Sequence, residues 1–354
     1  MSARPLRVRV TAAVKQALAH VLYGSGLLGL LARRRLHGRA VVLTYHRVLA
    51  DEDVDRTWSH PAIVVRRRTF ERHLAALRRH FEVLSLADFA ERLESGRPFE
   101  RPSCLVTFDD GWIDTYAQAW PALRAIGVPA TVFLPVDFIG ARRMFWQEQG
   151  SALLASIADR ARRDAAFATR ARAALAPHGL DGLLGLSGPA LRQAIVDAMQ
   201  VRKHDDPGQQ RSPLPTLLEL ASESADAVDA VDAFMTWAQV REMAQAGITF
   251  GGHGATHRLL DTLPPAEAEA EVRASRLALE RELPGHAIAF CYPNGNWSPS
   301  VAAAVRAHGF RVAFSTERGL AGPDSERFAI RRVNMHEDVT SSVPLFLARL
   351  AGVL

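Results

Sequence analysis

Ser103-Cys104-Leu105-Val106-Thr107-Phe108-Asp109-Asp110-Gly111 is an apolar run that ends in two adjacent carboxylates. Ser103 to Val106 reads as a strand buried on both faces, because the run does not alternate with charged residues. Such strands belong to parallel sheets, whose chemistry gathers where the strands end. An extended chain would point Asp109 and Asp110 to opposite sides. A turn brings both into one pocket, where one can hold a metal while the other takes a proton. The competing reading is a loop in which one Asp caps the next helix.

Around that strand the chain alternates between strand and helix patterns. Ala40 to Tyr45 reads as a buried strand ending at His46, Arg68 to His80 carries a helical stripe of Phe70, Leu74 and Leu77, and Phe81 to Leu84 is a short strand. Asp114 to Ile126 predicts a helix stopped by Gly127, and Ala130 to Leu134 a further strand. Ala246 to Gly252, Ile288 to Tyr292, Phe310 to Ser315 and Phe328 to Val333 read as strands, with helices at Pro264 to Glu282 and Pro299 to His308. Repeated strand-then-helix units argue for an α/β fold with a mostly parallel sheet. About seven strands with candidate sites at their ends close naturally as a distorted seven-stranded (β/α) barrel.

Residues 141–236 break this rhythm. They hold no convincing strand, while Ser151 to Leu175 and Pro189 to Val201 read as helices and His204 to Pro215 as a polar link. They form a helical insertion in a barrel domain of residues 39–354, following the strand at Leu134. An insertion there would overhang the site. Trp146 and Trp237 read as core ahead of sugar-stacking platforms.

His253-Gly254-Ala255-Thr256-His257 follows the strand that ends at Gly252. Two histidines at i and i+4 on a helical turn face the same way and suit one metal ion. A third strand end carries Cys291-Tyr292-Pro293-Asn294-Gly295. Three such groups at three strand ends are poorly explained by chance. One Asp with two His leaves coordination positions open for water and substrate, as in catalytic metal sites.

At these residues the chain resembles the polysaccharide deacetylase family, the NodB-like carbohydrate esterases, and is similar to members acting in exopolysaccharide biosynthesis. The resemblance covers roughly residues 39–140 and 237–340. It implies a distorted seven-stranded barrel. The family's Thr-Phe-Asp-Asp-Gly motif, matched at Thr107 to Gly111, implies Asp109 as general base and Asp110 as metal ligand. Its His-(Ser/Thr)-x-x-His motif implies His253 and His257 as the other two ligands of a divalent metal, zinc foremost, with cobalt or nickel as alternatives. Gly254 stands after the first His, so a loop-bracing hydroxyl is missing. The third motif matches at Tyr292, Pro293 and Gly295, which become the substrate and oxyanion segment, with the Tyr292 N–H as oxyanion donor. No Arg immediately precedes this turn, so the brace for the base comes from elsewhere, Arg331 or Arg332. For the general acid, His46 matches a first-strand Tyr-His of relatives acting on poly-N-acetylglucosamine, and His336 loosely matches another motif; His46 is preferred. His73, His80 and His308 lie in charged helical segments and are expected to face solvent.

The reaction so implied is hydrolysis of N-acetyl groups on a polysaccharide or lipid-linked oligosaccharide. One alternative is hydrolysis of another C–N bond in a linear or cyclic amide. Another is a carbohydrate-binding relative without catalysis, against which the retention of both Asp and both His argues.

Composition narrows the rest. Residues 1–50 hold nine Lys or Arg and no Asp or Glu, so the net charge of +5 leaves +5 − 9 = −4 for the remaining residues. The basic character is therefore local, and no nucleic-acid motif accompanies it. Two cysteines, Cys104 and Cys291, exclude a disulfide framework and read as small buried side chains. Gln16 to Ala32 is mostly apolar between basic flanks, short for a spanning helix and without a good cleavage site. Residues 1–38 are then either a helix in the membrane interface or a helix packed on the enzyme domain. The expected location is cytoplasmic, with peripheral contact at the inner membrane through that segment.

Overall fold

The computed structural model describes residues 6–202, 212–221 and 230–353. Most of the polar link read from His204 to Pro215 lies outside the described residues. The chain divides into two units, one of Arg7–Asp55, Pro61–Ala141 and Phe234–Leu354, the other containing Arg56–His60 and Arg142–Ala233.

The larger unit is a closed barrel of seven parallel strands: β1 Ala40–Tyr45, β2 Ser103–Phe108, β3 Thr131–Leu134, β4 Thr249–Gly252, β5 Ala289–Cys291, β6 Val312–Arg318 and β7 Ile330–Asn334. β1 pairs with both β2 and β7, which closes the ring. The ring is uneven. β2 pairs with β1 along its whole length, from Ala40↔Ser103 to Tyr45↔Phe108. It meets β3 only at Thr107↔Thr131 and Phe108↔Val132, and the start of that edge is taken by the short strand Glu82–Val83. β4 touches β5 at Gly252↔Phe290 alone.

β1 and β2 are buried at every position, as strands covered on both faces must be. Val42, Leu105, Phe133, Ala289, Cys291, Phe314 and Ile330 join Phe89 and Phe99 in one core cluster. The glycines of β4 follow from this density. A Cβ on Gly251 would stand 2.6 Å from the Ala289 carbonyl oxygen and against the Phe133 ring. No larger residue fits there.

Helices α1 Leu6–Gly24 and α2 Leu27–Arg35 precede the barrel. Among the described residues, no helix is long and apolar enough to cross a membrane. α3 Arg67–His80 packs Phe70, Leu74 and Leu77 inward, as its stripe predicted, and α4 Pro265–Glu282 lies beside β4. The expectation that His73 faces solvent is corrected, because its side chain is completely buried. Its Nε2–H donates to the Thr340 carbonyl at 2.7 Å, and its Nδ1 takes the Tyr45 hydroxyl at 3.1 Å. The ring stacks on Phe346 at 4.1 Å. The helical stripe hid this residue, since a histidine at a core position carries the same letter as one in water. His80 is exposed, and His308 is half-buried beside Glu269.

The smaller unit is helical in its described residues, with helices Trp146–Arg163, Ala165–Leu175, Gly188–Val201 and Leu214–Ala221. Leu154, Ile157, Phe167, Leu175, Ile195 and Leu217 form its own core, with Trp58 and Trp146 packed against it. The Asp232 carboxylate fixes the Arg56–His60 segment, accepting from the Thr57 hydroxyl at 2.6 Å and the Trp58 N–H at 2.9 Å.

Candidate active site

The chain leaves β2 through two consecutive left-handed residues, Asp110 (φ 75°) and Gly111 (φ 70°). Gly111 adopts this at little cost, whereas Asp110 carries real strain. The turn does what an extended chain cannot, setting two adjacent carboxylates side by side at the strand end. Both are almost fully buried, at 2% and 5% exposure.

Asp109 is gripped by Arg332 of β7 in a forked pair, with Nη1 donating to Oδ1 at 2.8 Å and Nη2 to Oδ2 at 2.7 Å. Arg332 is itself buried and further fixed by donating from Nε to the Ser315 carbonyl at 2.8 Å. Of the two arginines weighed as braces, Arg332 reaches Asp109, while Arg331 lies outside against Glu317. Burial works against an ionised Asp109, but the Arg332 charge and hydrogen bonds outweigh it and hold the carboxyl below its usual range.

Asp110 faces two imidazoles. Its Oδ1 lies 3.4 Å from His253 Nε2 and 3.3 Å from His257 Nε2. Three further facts bear on whether this trio suits a cation. His253 Nδ1 sits 2.7 Å from the Cys291 carbonyl, which can only accept, so Nδ1 carries a proton and Nε2 is the ring nitrogen turned to Asp110. Asp110 Oδ2 is occupied by the Trp112 indole N–H at 3.0 Å, leaving Oδ1 for the pocket. Donors on a tetrahedron of about 2.1 Å radius stand about 3.4 Å apart, the separation that Asp110 Oδ1 keeps from each imidazole nitrogen. The residues fit a divalent ion.

The two histidines reach this arrangement differently from the expectation. Residues 253–258 are not a helical turn but a loop with Gly254 at φ 74° and His257 at φ 62°. The i, i+4 spacing is real; the helix is not. Glu271 of α4 braces this loop. Its Oε2 accepts the N–H groups of Ala255 and Thr256, each at 2.8 Å, and its Oε1 accepts the Thr256 hydroxyl.

His46 follows β1 directly, with Nε2 at 3.7 Å from Asp109 Oδ2 and 17% of its side chain exposed. Burial holds it below the ordinary imidazole range against the pull of Asp109 and Asp110. His336 follows β7 and caps the short helix Glu337–Thr340, its carbonyl accepting the Thr340 hydroxyl. Its ring is half-buried. Tyr292 is the residue expected to supply the oxyanion donor. Its N–H donates to the Phe314 carbonyl at 3.1 Å, and its hydroxyl donates to the Phe328 carbonyl. Of its neighbours, Pro293 has no N–H and Gly295 donates its own to the Tyr292 carbonyl.

Two residues of the site escaped the sequence reading. Trp112 orients Asp110 while lying between the Arg47 guanidinium at 4.3 Å and the Phe234 ring at 4.5 Å. Cys291, read as a small core side chain, is buried but places Sγ 3.0 Å from Arg332 Nη2 and 3.6 Å from Asp109 Oδ2. Only the adjacency of Trp112 to the Asp pair could have drawn notice to it.

The family model described as polysaccharide deacetylase matches residues 217–313, a stretch holding both histidines and the third strand end but not the Asp pair. YxkH of Bacillus subtilis (strain 168) is 19% identical over 302 residues, covering 85% of this chain and 73% of that one. The poly-β-1,6-N-acetyl-D-glucosamine N-deacetylase of Escherichia coli (strain K12) is 28% identical over 131 residues, 36% of this chain and 19% of that enzyme. The match thus spans under a fifth of the longer protein. Among solved structures, IcaB from Ammonifex degensii superposes with a TM-score of 0.56 at 17% identity, covering 88% of this chain and 97% of that one. PplD of Streptococcus pyogenes, solved with acetate, gives 0.53 at 16% identity over 86% and 95%. At these identities the structures share the barrel fold.

Proposed function

We propose that this chain, which matches the polysaccharide deacetylase family model over residues 217–313, is a metal-dependent hydrolase that removes N-acetyl groups from a glycan. The observation that carries this reading is the pairing of a braced carboxylate with a three-donor cluster. Asp109, forked by Arg332, stands directly beside Asp110, His253 and His257.

An amide carbonyl is a poor electrophile and an amine a poor leaving group. A divalent ion held by Asp110, His253 and His257 would supply Lewis acidity toward the carbonyl and lower the pKa of water. Asp109 accepts the proton of the attacking water, and Arg332 keeps both of its oxygens in one plane for that purpose. His46, whose Nε2 lies 3.7 Å from Asp109 Oδ2, hands a proton to the departing nitrogen as the C–N bond breaks. Acetate and a free amine are left. Zinc suits two imidazoles and a carboxylate, and cobalt or nickel suit them nearly as well.

A metal-loaded screen for acetate release from N-acetylglucosamine oligomers tests the proposal. Release that chelation stops and zinc restores supports it. Hydrolysis of simple or cyclic amides with no release from any glycan oligomer would redirect it to another C–N bond. Glycan binding without any release would leave a binding protein.

A further inference from the structure

From Ala13 onward α1 is exposed at almost every described position, and Ala19 is its one buried residue there. Val14, Leu18 and Val21 are 60%, 43% and 67% exposed. Their i, i+4, i+7 spacing sets them on one stripe, away from Ala19. Leu27 and Leu30 continue the exposed apolar surface onto α2. Single exposed apolar residues are ordinary, but a row of them on one face marks an interaction surface.

The same region is rich in unneutralised cations. Lys15, Arg33 and Arg34 are exposed and have no ion pair among the described residues. The end of α1 and the face of α3 border a cleft lined by Tyr23, Arg72, Arg79 and His80. Partial burial, followed by the charges of Arg79 and Arg33, holds His80 below the ordinary imidazole range.

We propose that α1, α2 and this cleft form a docking face for an anionic phospholipid bilayer. Val14, Leu18 and Val21 enter the acyl boundary, and Arg33, Arg34 and Arg79 meet lipid phosphates. The stripe alone would equally fit a second copy of the chain. Charge decides between them, because a second copy brings the same cations against these, whereas anionic headgroups neutralise them. Attachment is peripheral, since no described helix is long and apolar enough to span.

The test uses the full chain, sedimented with phosphatidylcholine vesicles and with phosphatidylcholine–phosphatidylglycerol vesicles, at low and high salt. Partition onto the anionic vesicles should exceed that onto neutral ones by about tenfold or more at low salt. Val14→Gln/Leu18→Gln/Val21→Gln and Arg33→Gln/Arg34→Gln should each cut it by on the order of tenfold, with the thermal unfolding midpoint kept. If the apolar variant fails to fold, the arginine variant decides, since both of its sites are exposed. Equal partition onto both vesicle types, no partition at all, or a solution dimer that the apolar variant dissociates would each overturn the proposal.

Discussion

Asp109 and Asp110 share a backbone step but serve different partners, and what separates them is the pair of oxygens each presents. Asp109 gives both to one guanidinium; Asp110 gives one to an indole and one to two imidazoles. Asp109→Asn keeps the shape and loses the proton acceptor. It should retain zinc by elemental analysis and lose acetate release by roughly 10²-fold or more; a fully active variant removes Asp109 as the base. Trp112→Phe keeps the stack between Arg47 and Phe234 but deletes the N–H that orients Asp110. Zinc affinity, read by competition with a chromophoric chelator, should fall by about tenfold or more, as for other groups that hold a ligand in place. Unchanged affinity would make Trp112 a space filler. His46→Ala should slow amide hydrolysis far more than hydrolysis of an activated aryl acetate, whose leaving group needs no proton. Equal losses on both substrates would argue for a structural role, and a larger amide-specific loss in His336→Ala would transfer the acid to that residue. At this scale the sequence showed the carboxylates and the imidazoles because motif spacing survives in one dimension. It reduced the brace to two adjacent arginines, and strand alternation, which puts Arg332 inside and Arg331 outside, separates them. Cys291 and Glu271 were not legible, since their partners lie far away along the chain.

At the scale of elements, the strand-and-helix reading recovered every barrel strand, with ends moved by a few residues where ladders stop pairing. The loop after β4 was misread because two histidines four apart look helical, while the glycine between them permits a tighter, left-handed path. Gly295 makes a related point. It sits at φ 79°, and a Cβ there would run into the Thr316 backbone, so the turn after β5 admits no side chain. α3 offers a quantitative test through His73. Burial pushes this imidazole down to about 4 from its usual value. The folded state therefore binds its proton less readily than the unfolded one. Stability from a neutral His73 is fully present above the unfolded pKa near 6.5 and is lost as pH falls toward the folded value, by about 3 kcal/mol if the whole interval is crossed. Urea midpoints at pH 7 and pH 4.5 should differ more for the wild type than for His73→Leu. A His73→Leu protein with the same pH dependence would place the sensitivity elsewhere.

Across the whole molecule, the interruption of the strand rhythm drew attention to residues 141–236, and Arg142–Ala233 groups with Arg56–His60 in a unit whose described part folds around its own leucine-rich core. Composition also marked the N-terminal segment as unlike the rest, though the face its helices leave bare needed coordinates. An ion bound by Asp110, His253 and His257 should be felt across the whole barrel. A ligand that binds only the folded state stabilises it by about 2.7 kcal/mol at a hundred times its dissociation constant. Adding zinc to metal-free protein should raise the unfolding midpoint, a chelator should reverse the rise, and His257→Ala should show none. A midpoint indifferent to zinc would mean that Asp110, His253 and His257 hold no ion. The Arg332–Asp109 fork has one more implication, and it concerns time. Asp109 leaves the ribosome some two hundred residues before its guanidinium does, and the strand that carries Arg332 is also the one that closes the ring against β1. A nascent chain short of β7 holds a buried-site carboxylate with no counter-charge and a barrel with an open side. Bracing of Asp109 and closure of the ring therefore wait on the same late strand.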